Sequence, residues 1–311
     1  MRKTEYCLEF PAPSAISPYA EAAQEHTINW AIDFGLVPDP KHVNGLRKAK
    51  FGIYAAREFP GASCAEICLT ADLITWLFFV DDRCDRASSD RAAAATVRVQ
   101  LRDFLDILDG RPVDADTPMN RGLQHVMQRF AAISSLYLYE QLCHYIRVYL
   151  NECFWEIDNQ VKDYVPTIAE YWAMRAKTGF SIMFPLVGIF SKLELPDEVY
   201  KHEVLQRMEL ALNLAGGLAN DIHSLHREQQ LDTAGFNLIF IFQQELQVSQ
   251  EEAVQLLMDH HNDQLSLLEQ CRRQLPYWGK RINEQLNTYV DGLFVVLKAY
   301  YDWALDSNRY A

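Results

Sequence analysis

Apolar residues recur at helical spacing along most of this chain, in stretches bounded by proline and glycine, and strand-like alternation with hairpin turns is nearly absent. That pattern restricts the chain to an all-α fold. Residues 1–20, with Pro11, Pro13 and Pro18, read as an extended lead-in. A helix is expected from about Glu21, ended by Pro38 and Pro40, and a second from about Asn44 to Glu58, stopped by Pro60-Gly61. A third begins near Cys64, and further ones span Ala92–Asp109, Arg121–Phe130 and Leu136 to about Tyr164. Pro166 opens a new element, and Gly179 and Pro185 predict a break within the apolar stretch 171–190. Helices from about Glu198 to Gln230, from Ser249 to about Gln274 and from about Gly279 to Leu305 complete a set of about ten in one domain covering 1–311. Gly216-Gly217 predicts close approach of a neighbour or of ligand.

A formal net charge of −13 argues against a nucleic-acid partner, because phosphate neutralisation needs clustered Lys and Arg. An anionic substrate stays compatible, since a bound cation reverses the local field. Seven scattered cysteines fit a reduced, cytoplasmic setting, and no apolar run reaches the roughly 18 residues of a membrane span.

Two groups of oxygen-bearing residues stand out. The apolar run from Leu73 to Val80 ends abruptly in Asp81, Asp82 and Asp85. On a helix Asp81 and Asp85 share one face, with Phe78 on the same stripe. Later, Asn220, Ser224 and Glu228 fall at i, i+4 and i+8 and form one row over two turns. Amide, hydroxyl and carboxylate oxygens are hard donors that suit Mg²⁺, and Arg227 is placed to reach the same phosphate. A polar row is commonly a solvated face. Here the preceding segment, Leu210–Ala219, is apolar nearly all round except for Asn213, which points to a lined cavity.

Together these groups resemble the two metal motifs of microbial class I terpene synthases (terpene cyclases): an aspartate-rich DDxxD/E and, nine residues long, N-D-x-x-S-x-x-[RK]-E. Trp76, Phe78 and Asp81 resemble the lead-in to the aspartates, and Arg57 with Pro60 an upstream Arg-x-[FY]-Pro segment. Arg175, 45 residues before Asn220, lies where the family has its diphosphate-sensing arginine, with Thr178 and Gly179 at the linker and effector positions. The family often has Asp at the linker, where this chain has Thr178. Arg309-Tyr310 resembles the pair that closes over diphosphate, and Trp303 a cavity tryptophan.

The resemblance implies a single-domain α-helical bundle around an apolar active-site cavity. It implies Mg²⁺-dependent ionisation of a linear allylic prenyl diphosphate, farnesyl diphosphate by chain length, then cyclisation to a sesquiterpene. Three Mg²⁺ ions are expected, two chiefly on Asp81 with Asp82 or Asp85, and one on Asn220, Ser224 and Glu228. Arg175, Arg227, Arg309 and Tyr310 would hold diphosphate, while Phe78, Phe154 and Trp303 are the candidate cavity aromatics. Asp259-His260-His261-Asn262-Asp263 is read as a solvated helix face, His223 and His226 as off the ligand row, and Glu156 and Asp163 as surface charge. A chain-elongating prenyltransferase and a non-catalytic helical binding or scaffold protein are the alternatives, and the chain acts as a monomer or a homodimer.

Overall fold

A computed structural model of the chain describes residues 8–37, 39–87, 91–114, 116–231, 236–307 and 309. Among them the regular structure is helical throughout. In order the helices are α1 (Ala20–Asp33), α2 (Pro40–Ala49), α3 (Phe51–Glu58), α4 (Cys64–Ala87), α5 (Arg91–Leu108), α6 (Pro118–Ile133) and α7 (Leu136–Gln160). They continue with α8 (Ile168–Arg175), a 3-10 turn (Phe180–Met183), α9 (Phe184–Phe190), α10 (Asp197–Tyr200), α11 (Glu203–Leu231), α12 (Leu238–Leu246), α13 (Gln250–Gln274) and α14 (Lys280–Asp306).

Several expected boundaries move for identifiable reasons. Pro40 does not end α1; it opens α2, because its missing N–H and fixed φ suit the first turn. Asp39 caps that turn by accepting from the Lys41 and His42 amides at 2.8 and 3.1 Å. The helix expected over 44–58 is two helices, hinged at Lys50 in the left-handed region at φ 55°. The one expected over 198–230 is also split, into the single turn α10 and the long α11. Helix α12 was not foreseen: its Leu-Ile-Phe-Ile-Phe run is continuously apolar and carries no period. The break after α8 is where it was expected, with Gly179 at φ 108° and Pro185 in the first turn of α9.

The core runs through the whole bundle, and its buried members come from α1 through α14. Long helices set its axis: α11 packs along α13, while α1, α3 and α4 pack on one another and α14 packs against α3. Buried polar tips are satisfied within this packing. The Trp76 indole donates to the Met119 carbonyl at 3.0 Å, and Thr27 Oγ1 meets Thr75 Oγ1 at 2.8 Å. The lead-in is anchored, since Leu8 and Phe10 are buried and the Phe10 ring lies 5.5 Å from that of Phe294.

Candidate active site

The C-terminal end of α4 and the middle of α11 meet at one cavity. Helix α4 is apolar from Leu73 to Val80 apart from Thr75, so its inner face is held in the core, and one turn later the same face carries carboxylates to the opening. Phe78, Asp81 and Asp85 line the cavity from α4, and Asn220, Ser224 and Glu228 line it from α11. Arg175, Thr178, Gly179, Arg227 and Arg309 also reach it, whereas Tyr310 lies outside the described residues.

Asp81, Asp82 and Asp85 place carboxylate oxygens within 4.8 Å of one another. Their surroundings differ. Asp82 accepts from Arg309 at 2.6 and 3.1 Å and from Arg227 at 2.7 Å. Burial pushes its carboxyl up, but the two arginines outweigh this and hold it below the usual range. Asp81 is raised by burial against the pull of Arg309, although its side chain is 49 % exposed. Burial, then repulsion from Asp81 and Glu156, pushes Asp85 up to about 9.

The second row is equally specific. Asn220 accepts from Arg175 at 3.0 Å and donates to the Tyr300 hydroxyl at 3.2 Å. Ser224 Oγ donates to the Asn220 carbonyl at 2.8 Å, and Glu228 Oε2 accepts from Asn237 at 2.9 Å. Burial and Asp221 raise Glu228 to about 7. Asp85 and Glu228, each raised by burial and by neighbouring carboxylates, are hard oxygen donors in the environment a divalent cation relieves, so the donor set fits such an ion.

Arg175 ends α8 and turns onto α11. Its Nη2 donates to Asp221 Oδ1 at 2.5 Å and to the Gly217 carbonyl at 2.7 Å. Gly217 makes this approach possible, and Gly216 does the same for the Phe180 ring. A Cβ on Gly217 would stand 2.6 Å from Arg175 Nε, and one on Gly216 would stand 2.3 Å from the Phe180 ring. The break itself is clamped by Asn213, a residue given no role in the sequence reading. Its Oδ1 accepts from the Phe180 and Ser181 amides at 2.8 and 3.1 Å, and its Nδ2 donates to the Arg175 and Thr178 carbonyls, both at 3.0 Å.

Four sequence expectations need correction. Glu156 is not surface charge: it lines the cavity from α7, where burial and the charges of Asp81 and Glu228 push it up to about 8. Phe154, two residues earlier on α7, faces about 160° away by helix geometry and packs on the core rather than in the wall. Trp303 is fully buried one layer behind the wall, donating to the Ala49 carbonyl at 2.7 Å and stacked at 4.7 Å on Tyr54, which does line the cavity. His261 is buried against the Tyr301 hydroxyl at 2.5 Å, and burial lowers it to about 4, so the segment 259–263 is only partly a solvated face. Asp163 is exposed, as expected of surface charge, and His226 is exposed too. Phe78 lines the wall, stacked on Phe51 at 4.5 Å, and Tyr149, Phe180, Phe236 and Tyr300, which the sequence did not single out, line it too.

Residues 72–266 match the family described as "Terpene synthase family 2, C-terminal metal binding". A (+)-T-muurolol synthase ((2E,6E)-farnesyl diphosphate cyclizing) of Roseiflexus castenholzii is 32% identical over 307 residues, 98% of this chain and 93% of that protein. A 10-epi-cubebol synthase of Sorangium cellulosum is 28% identical, covering 95% of each. In fold, the linalool/nerolidol synthase of Streptomyces clavuligerus in complex with 2-fluorogeranyl diphosphate superposes with a TM-score of 0.84 at 22% identity, over 98% of this chain and 100% of that one. With both motifs facing one cavity in an all-α bundle, this chain belongs to terpene synthase family 2 and is a microbial class I terpene synthase.

Proposed function

We propose that the chain, as one domain, ionises farnesyl diphosphate and cyclises the allylic cation to a sesquiterpene, releasing diphosphate. The observation that carries this reading is that one cavity is lined by oxygen donors of α4 and α11, by three arginines and by aromatic rings. The cyclising relatives, one of them explicitly farnesyl diphosphate cyclizing, support the substrate.

Asp81 and Asp85 on one side, and Asn220, Ser224 and Glu228 on the other, would hold Mg²⁺, three ions in all, while Asp82 serves the arginines. When bound, Mg²⁺ supplies Lewis-acid charge to the departing diphosphate. Arg175, Arg227 and Arg309 add charge-assisted hydrogen bonds to the same oxygens as the C–O bond breaks. The cation left behind faces Phe78, Tyr54, Phe180 and Tyr300, whose ring faces each favour positive charge by about 0.5–2 kcal/mol and exclude water. Thr178 and Gly179 let the segment between Arg175 and α9 shift as diphosphate is gripped. No helix among the described residues is long and apolar enough to cross a membrane. We place the enzyme in the cytoplasm, as a monomer or homodimer without a nucleic-acid partner.

Incubation with Mg²⁺ and, separately, geranyl, farnesyl and geranylgeranyl diphosphate, followed by gas chromatography–mass spectrometry, tests the proposal. Cyclic C15 products from farnesyl diphosphate are expected. Linear C20 diphosphate from a mixture with isopentenyl diphosphate would show elongation instead, and no metal-dependent turnover of any of the three would refute the enzyme.

A further inference from the structure

The second metal motif is tied to a residue outside it. Asn237 stands at the start of α12, 1 % exposed, and its side chain is saturated. Its Oδ1 accepts from the Ile239 amide at 3.0 Å, which caps the helix. Its Nδ2 donates both to the Asp221 carbonyl at 2.7 Å and to Glu228 Oε2 at 2.9 Å. The next amide, Leu238 N–H, donates to Asp221 Oδ2 at 2.9 Å, and that oxygen also receives the Tyr171 hydroxyl at 2.7 Å. One helix start thus grips both the partner of Arg175 and the last donor of the Asn-Ser-Glu row.

We propose that Asn237 is the positioning residue for Glu228, fixing the carboxylate so that a divalent cation meets it in one orientation. With Oε2 held, rotation of the carboxylate is restricted on a side chain that lines the cavity. Partners behind a ligand act in this way at metal sites generally, and losing one lowers affinity about 10–100-fold. A helix cap alone needs only an acceptor at this position, and Ser or Thr supplies one; neither reaches Glu228 as a donor. The arrangement of three bonds is therefore more than a cap requires.

This inference rests on the metal-binding reading of the site, and the test separates the two. Mn²⁺ with inorganic diphosphate is titrated calorimetrically into the full chain, into Asn237→Ser and Asn237→Thr, and into each combined with Glu228→Ala. Unfolding midpoints are recorded beside the affinities. The expected result is binding by the unmodified chain, at least about tenfold weaker binding by both single variants at near-unchanged midpoints, and less than about a twofold further effect once Glu228 is absent. Unweakened binding by Asn237→Ser or Asn237→Thr, or losses that add fully to that of Glu228→Ala, would overturn the positioning role while leaving the metal site standing. No binding by the unmodified chain would overturn both.

Discussion

Glu156→Gln tests whether the cavity holds carboxylates under strain in the absence of metal. Glu156 lines the cavity opposite Asp81 and Glu228, and within the protein it accepts from the Gln160 amide at 3.3 Å. Burial first, then those two charges, move its midpoint from the ordinary 4.5 to about 8. The folded chain therefore binds this proton more tightly than the unfolded chain does. The contribution to stability is intact below about pH 4.5 and is lost as pH rises through about 8. At about 1.4 kcal/mol per tenfold, the upper bound on the loss is about 5 kcal/mol, and the cavity's access to water lowers it. The amide that replaces the carboxyl is neutral at every pH. In urea unfolding of the chelator-treated proteins, the variant should gain on the unmodified chain by about 2–3 kcal/mol between pH 6 and pH 9, levelling above about pH 8. A difference that does not change with pH, or one that falls as pH rises, would refute the burial argument.

Arg175→Ala should lower turnover at least about a hundredfold, as the loss of one transition-state donor does, with the helical circular dichroism unchanged. Its unfolding midpoint should fall by a few degrees, because Asp221, 3 % exposed, keeps Tyr171 and the Leu238 amide but loses its cation. Near-normal turnover would remove Arg175 from the diphosphate site. Asp81→Asn and Glu228→Gln should each cost about a hundredfold or more in kcat/KM, measured as product formed against Mg²⁺ concentration. Either variant retaining most of its activity would take that residue out of the metal set.

What sequence could and could not reveal follows from how far each relation reaches along the chain. The rows Asp81/Asp85 and Asn220/Ser224/Glu228 each sit on one helix, where spacing alone fixes a shared face, and each row lines the cavity. Glu156 has no such row. What makes it a site residue is its approach to Asp81 on α4 and Glu228 on α11, relations set by packing and invisible to spacing on α7. Two of the three aromatic assignments, Phe154 and Trp303, missed the wall for a finer reason. Phe154 and Glu156 differ by two positions on one helix, and Trp303 and Tyr54 by one layer of stacking, which apolar periodicity cannot resolve. Local backbone choices were illegible where the residue type argues against them, as with Lys50 in a left-handed hinge.

The charges at the cavity mouth explain why three arginines and six carboxylates can be stored there before any substrate arrives. Arg309 lies on Asp82 and Asp81 and over the Phe78 ring at 4.8 Å; Arg227 lies on Asp82 and, at 3.5 Å, Asp85; Arg175 lies on Asp221. Their side chains are 10 %, 20 % and 14 % exposed, so an arginine released into this space without a partner would carry a large desolvation cost. Under the proposed function, diphosphate would offer each of them an anion in place of a carboxylate. Binding is then an exchange of partners rather than a creation of buried charge. Asp82 marks the division of labour: it is the carboxylate that both Arg227 and Arg309 hold, and it is absent from the cavity wall that Asp81 and Asp85 share. The ion pair from residue 82 to residue 309 holds Arg309 beside the aspartates, so under the proposed function its transfer to diphosphate and the freeing of Asp82 would be one event.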